Sequence, residues 1–186
     1  MTEITDKTGE LPEAIRRFVL HWGDMGGQWG VNRSVSQIHA FLYLSDKPQT
    51  AEDIADALTM ARSNVSNSLK ELLAWGLIRR APVMGDRRDF YEAEADVWTM
   101  AAKIVAGRKE RELDPAIAVL NVCVTEAQGD PSVHATARRR LKDMLAFTET
   151  VNDFYGQMVK VPRPRLMALI NLGAKIINLL PARKTD

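Results

Sequence analysis

Apolar residues recur at helical spacing over the front of the chain. Leu11, Ile15, Phe18, Val19 and Trp22 fall at offsets of 0, 4, 7, 8 and 11, the stripe of an amphipathic helix. The glycines that follow, Gly23, Gly26, Gly27 and Gly30, either end that helix or admit another backbone at close range. Val35, Ile38 and Leu42 mark a second helix. Asp46, Lys47 and Pro48 form a turn, after which Thr50 precedes Asp53 by three residues, a variant capping box that opens a third helix over 51–58. From 61 to 75 the period sharpens: Val65, Leu69 and Leu72 share one face, while Ser63, Asn67, Lys70 and Ala74 lie opposite. Gly76 suits the left-handed position that stops the helix, with Leu77 able to pack back on Leu72.

The period then changes. Ile78, Val83, Phe90 and Tyr91 flank a charged tip, Gly85-Asp86-Arg87-Arg88-Asp89, which reads as a hairpin over about 78–95. Pro82 has no amide to give a ladder, so the first strand is expected at an edge or with a bulge. Beyond Asp96 the pattern is helical to the end. Asp114-Pro115 and Asp130-Pro131 are each expected as a helix cap followed by a first-turn proline, with Gly129 ending the helix before the second pair. A last helix follows Pro162 and Pro164, its apolar face made by Leu166, Leu169, Ile170, Ile176, Ile177 and Leu180. The fold class expected is mainly α with a small β-hairpin wing. Residues 1–10 form a flexible start, 11–96 a winged helix-turn-helix domain and 97–186 a helical dimerisation region that also offers room for an effector.

Composition narrows the classes of function. Of the 186 residues, 46% are hydrophobic and 26% charged, ordinary for a globular chain and unlike a disordered one. The formal net charge is only +1, so affinity for a polyanion must come from segregated charge. It is segregated: between Met60 and Asp89 stand Arg62, Lys70, Arg79, Arg80, Arg87 and Arg88 against Glu71, Asp86 and Asp89, an excess of three cations. The preceding helix carries Glu52, Asp53 and Asp56. A single cysteine, Cys123, lies in the apolar run 116–124 and is expected as a buried, inert thiol; it cannot close an intrachain disulfide. No run reaches the 18 or so apolar residues of a membrane span, so a soluble, cytoplasmic protein is expected. His21, His39 and His134 have no metal-ligand spacing and no phosphate-binding glycine fingerprint occurs, so neither a catalytic site, a metal nor a cofactor is expected. His39 reads as a partly buried structural histidine.

Helices, turn, polar-faced helix, terminating glycine and basic hairpin, in that order, make the plan of a winged helix that reads duplex DNA. Ser63, Asn64, Ser66 and Asn67 are short donors and acceptors suited to base edges or phosphates, and Arg62 and Lys70 bracket the groove by touching phosphates. Arg87 and Arg88 reach toward an adjacent minor groove. The run TAEDIADALTMARSNVSNSLKELLAWGLIRR with the Asp86-Arg87-Arg88 tip resembles winged-helix regulators of the MarR type, and GDMGGQWGVNRSVSQIHAFLYLS, residues 23–45, is similar to their GbsR-like branch. The resemblance implies a homodimer on successive major grooves, with Asp86 bracing a tip arginine while Arg87 or Arg88 enters the minor groove. Two departures stand out: Thr59 where glycine is frequent in the turn, and Ala61 where a Ser or Thr cap is usual.

The apolar stripes of the first and last helices are expected to pair across a two-fold axis, although the last could equally fold back on its own chain. Such a dimer calls for an inverted-repeat operator with half-sites about 34 Å apart. The GbsR-like resemblance also implies choline or glycine betaine as a small-molecule effector, with Trp22, Trp29 and Trp98 as candidates for an aromatic cage; Trp22 alternatively belongs to the core. The competing reading is a winged-helix protein-interaction module whose polar helix face docks a partner without specific DNA binding.

Overall fold

A computed structural model describes Leu11–Leu179, with side chains through Gly173. The helix α1 (Glu13–Gln28) runs through Gly23, Gly26 and Gly27, and α2 (Arg33–Leu44) packs along it. Two of the glycines serve that approach. A Cβ on Gly23 would stand 2.5 Å from Gln37 Cγ, and one on Gly26 would overlap the Ser36 hydroxyl. Gly30, at φ +77, ends the helix instead, with the Val31 amide donating to the Gly26 carbonyl at 2.9 Å and the Gly30 amide to that of Gly27 at 3.1 Å. The cluster thus ends the helix at Gly30, while at Gly23 and Gly26 it is side chains of α2, rather than the expected backbone, that come to close range.

The capping box opens α3 (Ala51–Leu58) as expected: the Asp53 amide donates to Thr50 Oγ1 at 3.1 Å and the Thr50 amide to Asp53 Oδ2 at 2.9 Å. Thr59 then adopts φ +52, a left-handed conformation that costs a β-branched residue about 1 kcal/mol or more. Next come α4 (Arg62–Ala74) and, after Gly76 at φ +65, the strand β2 (Ile78–Arg80). The Leu77 amide returns to the Leu72 carbonyl at 3.1 Å and that of Gly76 to Leu73 at 3.0 Å, so the helix stops where the glycine allows.

The hairpin forms between β2 and β3 (Phe90–Ala93), in register Ile78↔Ala93 and Arg80↔Tyr91. A third strand, β1 (Gln49–Thr50), pairs with β3 through Gln49↔Tyr91, giving the antiparallel order β1-β3-β2. Two residues, the second of them the helix cap itself, carry no alternation, so periodicity misses β1. Pro82 is accommodated because β2 is an edge strand that ends at Arg80. Val83, expected to flank the tip as part of a strand, instead sits exposed in the loop, because the ladder ends before the proline. Ile38, Ile54, Val65 and Leu72 are fully buried and tie α2, α3 and α4 into one core, which Met100 of α5 (Val97–Arg108) joins. Truncating any of the isoleucines or leucines there to Ala is worth about 2–5 kcal/mol.

Contacts divide the chain between Gly107 and Arg108. The second unit opens on a π-helical turn, Lys109–Leu113, leading into α6 (Asp114–Gly129), which packs on α7 (Ala135–Val159); α8 (Arg163–Leu179) follows. Neither Asp-Pro pair caps a helix as expected. Asp114 is itself helical, at φ −62 and ψ −44, because the π-helical turn feeds straight into α6 and leaves no free amides to cap. Asp130 ends α6, and its carboxylate accepts from the Ser132 amide at 2.8 Å in a local turn. The cap of α7 is His134, whose Nδ1 accepts from the Ala137 amide at 3.2 Å. Cys123 is half-buried rather than buried, since α6 packs only one side of itself. On α8, Leu169 and Ile170 are exposed; the side chains of Ile176 and Ile177, and Leu180 altogether, lie outside the described residues. Among the described residues no helix is long and apolar enough to cross a membrane.

Candidate nucleic-acid interface

The helix α4 divides its faces cleanly. Val65, Leu69 and Leu72 are at most 2% exposed, whereas Arg62, Ser63, Asn64, Ser66, Asn67 and Lys70 all face solvent. The N-cap residue Ala61 has no side-chain acceptor, so the first turn lacks a side-chain cap. Arg62 forms an ion pair with Glu52 of α3, and Asn64 Nδ2 donates to Ser34 Oγ at 2.9 Å, tying the start of α4 to the first turn of α2. Ser63, Ser66, Asn67 and Lys70 are the members of the polar face left to a partner, with no hydrogen bond or ion pair to another of the described residues.

The hairpin tip separates its two arginines. Gly85, at φ +84, makes the bend, and Asp86 then takes the Arg88 amide at 2.9 Å and the Arg88 guanidinium through Nε at 3.0 Å and Nη2 at 2.6 Å. The guanidinium carbon lies 5.4 Å from the centre of the Phe90 ring, a second constraint on the same side chain. That hydrogen bonding holds the Asp86 carboxyl below the ordinary carboxylate range and raises Arg88. Arg87 is exposed and forms no ion pair among the described residues.

Much of the positive segment is internally balanced. Besides Arg62 and Arg88, Arg79 pairs with Glu92 at 2.6 Å and Arg80 with Asp89 at 3.9 Å. Of the six cations between Met60 and Asp89, Lys70 and Arg87 remain without an ion pair among the described residues. The paired arginines are mostly solvated, at 57–79% side-chain exposure, so their bridges are weak and a phosphate can replace the carboxylate. Summing charges in sequence could not see Glu92 opposite Arg79 across the ladder, nor Glu52 ten residues before Arg62.

Behind α4, Trp75 lies against α5 so closely that a Cβ on Gly107 would stand 2.8 Å from the indole ring. A cavity of about 230 Å³ opens between α1, α2 and α5, lined by Phe18, Trp22, His39, Ala40, Tyr43, Val97 and Met100. Of the three tryptophans expected around an effector, Trp22 lines it and stacks on Phe18 with ring centres 5.4 Å apart. Trp29 is 61% exposed at the end of α1 and Trp98 is half-buried at the start of α5, and neither lines that cavity. His39 is 3% exposed, its Nε2 has no hydrogen-bond partner among the described residues, and burial lowers its pKa to about 4.

Residues 29–89, from the end of α1 through the wing tip, match the model of the MarR family. Over that segment the winged helix is similar to those of the MarR family. The HTH-type transcriptional regulator MmpR5 of Mycobacterium tuberculosis is 28% identical over 151 residues, spanning 78% of this chain and 86% of its own. The HTH-type transcriptional repressor OpcR of Bacillus subtilis is 23% identical over 70 residues, which is 38% of either chain. The crystal structure of a transcriptional regulator superposes with a TM-score of 0.57 at 21% identity, over 80% of this chain and 99% of that one, a likeness of fold.

Proposed function

We propose that this MarR-type transcriptional regulator binds double-stranded DNA sequence-specifically as a homodimer, with α4 in the major groove and the hairpin at the minor groove. The observation that carries the reading is the solvent-facing row Ser63, Ser66, Asn67 and Lys70, polar side chains left to a partner on a helix whose other face is core. Arg62 and Asn64 join on binding, exchanging Glu52 and Ser34 for phosphates. Arg87 is the tip residue that enters the minor groove, while Arg88, held by Asp86 and Phe90, fixes the tip and touches phosphate. A protein-docking face would have little use for such a braced cationic loop.

Homodimerisation is supported by Met144, Phe147, Val151 and Phe154, which recur on α7 at alternating spacings of three and four and remain exposed. Membership in the GbsR-like branch is part of the reading and would make choline or glycine betaine the effector.

Selection of bound fragments from random DNA tests the whole. An inverted repeat with half-sites about one helical turn apart is expected, and Asn67→Ala should cost about 1–3 kcal/mol mainly at one base position. Recovery of no preferred sequence, or an Asn67→Ala protein with unchanged preference, would sink it.

A further inference from the structure

We infer that Met84, at the tip of the hairpin, is an apolar wedge that enters the minor groove of the operator and parts two stacked base pairs, so that the bound duplex is kinked there. The inference rests on the reading of the chain as a DNA-binding regulator and adds to it a residue that deforms the duplex.

The tip is built from two consecutive turns. In the first, the Asp86 amide donates to the Val83 carbonyl at 3.2 Å, which leaves Met84 and Gly85 as the corner residues, and Gly85 takes a φ of +84 at the second corner. In the second, the Asp86 carboxylate accepts from the Arg88 amide at 2.9 Å, which leaves Arg87 at the corner. Met84 is 101% exposed, as bare as in an extended chain, whereas the other exposed large apolar side chains among the described residues are 37–66% exposed. The loop that presents it is held in place. Below the tip the Ala81 amide donates to the Phe90 carbonyl at 2.9 Å, and Arg88 is fixed between Asp86 and the Phe90 ring. Contact through a loop already ordered forfeits little conformational freedom, and covering Met84 removes apolar surface from water.

One isolated apolar side chain suits a gap between base pairs better than a protein surface. A protein partner needs a contiguous apolar patch, and the sequence neighbours of Met84 are Val83, less than half as exposed, and a glycine followed by a carboxylate. Charge selects the duplex. Asp86 is matched by Arg88 and Asp89 faces Arg80, so the charge that the tip leaves over is the Arg87 cation, three residues from Met84. A cation beside an apolar wedge is the combination with which minor-groove proteins hold the backbone and unstack a step. Methionine is unbranched and polarisable, slim enough to pass between base pairs and able to lie on their faces. Steps that unstack readily, TA and CA/TG, are therefore expected beneath the hairpin, flanking the bases met by α4.

The test uses the full chain and duplexes recovered by selection from random DNA, labelled at both ends for energy transfer and carrying 2-aminopurine at successive positions of the flank. Wild-type protein should bring the ends together as a kink of about 20–90° does, and raise 2-aminopurine emission at one flanking step. Met84→Gln, equal in length but polar, should abolish both signals, weaken binding about tenfold and erase the preference for TA or CA/TG at that step, with the other bases still selected. Met84→Leu should keep kink and emission. Full exposure of Met84 means that neither substitution should move the unfolding midpoint. Salt separates a wedge from a phosphate contact: Met84→Gln should leave the salt dependence of binding as steep as in the wild type, unlike Arg87→Ala. A straight bound duplex, unchanged emission at every position, a Met84→Gln protein that kinks DNA like the wild type, or a Met84→Leu protein that does not kink it overturns the wedge and leaves the regulator reading standing. Wild-type protein that retains no duplex removes both.

Discussion

At the scale of single residues, His39 makes the sharpest statement about solution behaviour. Its folded pKa of about 4 lies below the free value of 6.5, so between those values the unfolded chain binds a proton that the native chain refuses. Stability from this residue is complete above about pH 6.5 and is lost as the pH falls toward 4, by about 3 kcal/mol in all. Denaturant titrations at pH 7 and pH 5 should show about 2 kcal/mol of that loss in the wild type and a markedly smaller one in His39→Phe; equal losses would mean that the imidazole titrates normally. Asp86 contributes in the same direction at lower pH, since its depressed carboxyl pKa is raised to the ordinary value on unfolding. The two tip arginines differ for a chemical reason that no linear motif displays. Arg88 is tied into a ring of hydrogen bonds with Asp86, and Arg87 is left to find an external anion. Arg87→Ala and Lys70→Ala should each weaken DNA binding evenly across sequences and lower the steepness of its salt dependence by about one counterion. A base-specific loss from Lys70→Ala would place that side chain at a base edge.

Elements depend on positions where a side chain is either missing or forbidden. The helix α4 begins without a side-chain cap, and Ala61→Ser should stabilise the protein by about 0.5–2 kcal/mol, measurable as a higher unfolding midpoint. No gain would indicate that the amides of that first turn are already satisfied. The pairing of α1 with α2 requires Gly26, where any Cβ would strike the Ser36 hydroxyl; Gly26→Ala is expected to cost about 1–3 kcal/mol by overpacking. Gly27, three bonds along the same backbone, meets nothing within 4 Å, and Gly27→Ala should be neutral or slightly stabilising, the internal control for that claim. The contrast shows how much of a glycine cluster's meaning depends on which face of the helix each member occupies.

For the molecule as a whole, the second unit exposes apolar side chains that a lone chain has no use for. The row Met144, Phe147, Val151 and Phe154 repeats with the alternation that seats one helix against another in a coiled-coil manner. Phe147→Glu combined with Val151→Glu should convert a dimer to a folded monomer by light scattering and weaken operator binding with it. Dimerisation untouched by these substitutions would move the interface to other helices, such as the expected α1 and α8. A monomeric wild type would remove the two-fold reading and the inverted repeat together.

Local sequence alone determined the order of the helices through α4, the polar and apolar faces of α4, and the glycine that stops it, because each rests on neighbours within a turn or two. The capping box at Thr50 and Asp53 was legible for the same reason. What local sequence could not decide depended on partners distant along the chain: β1, whose two residues are strand only by pairing with Tyr91 and Phe90; the ion pairs that quiet Arg62 and Arg79; and the cavity that gathers Trp22 and His39 without Trp29 or Trp98. The Asp-Pro pairs misled because a capping sequence signals free amides, and a π-helical turn and a local aspartate turn had already dealt with them. Short-range hydrogen bonding and side-chain volume are written residue by residue, whereas burial and charge pairing exist only once the chain has closed on itself.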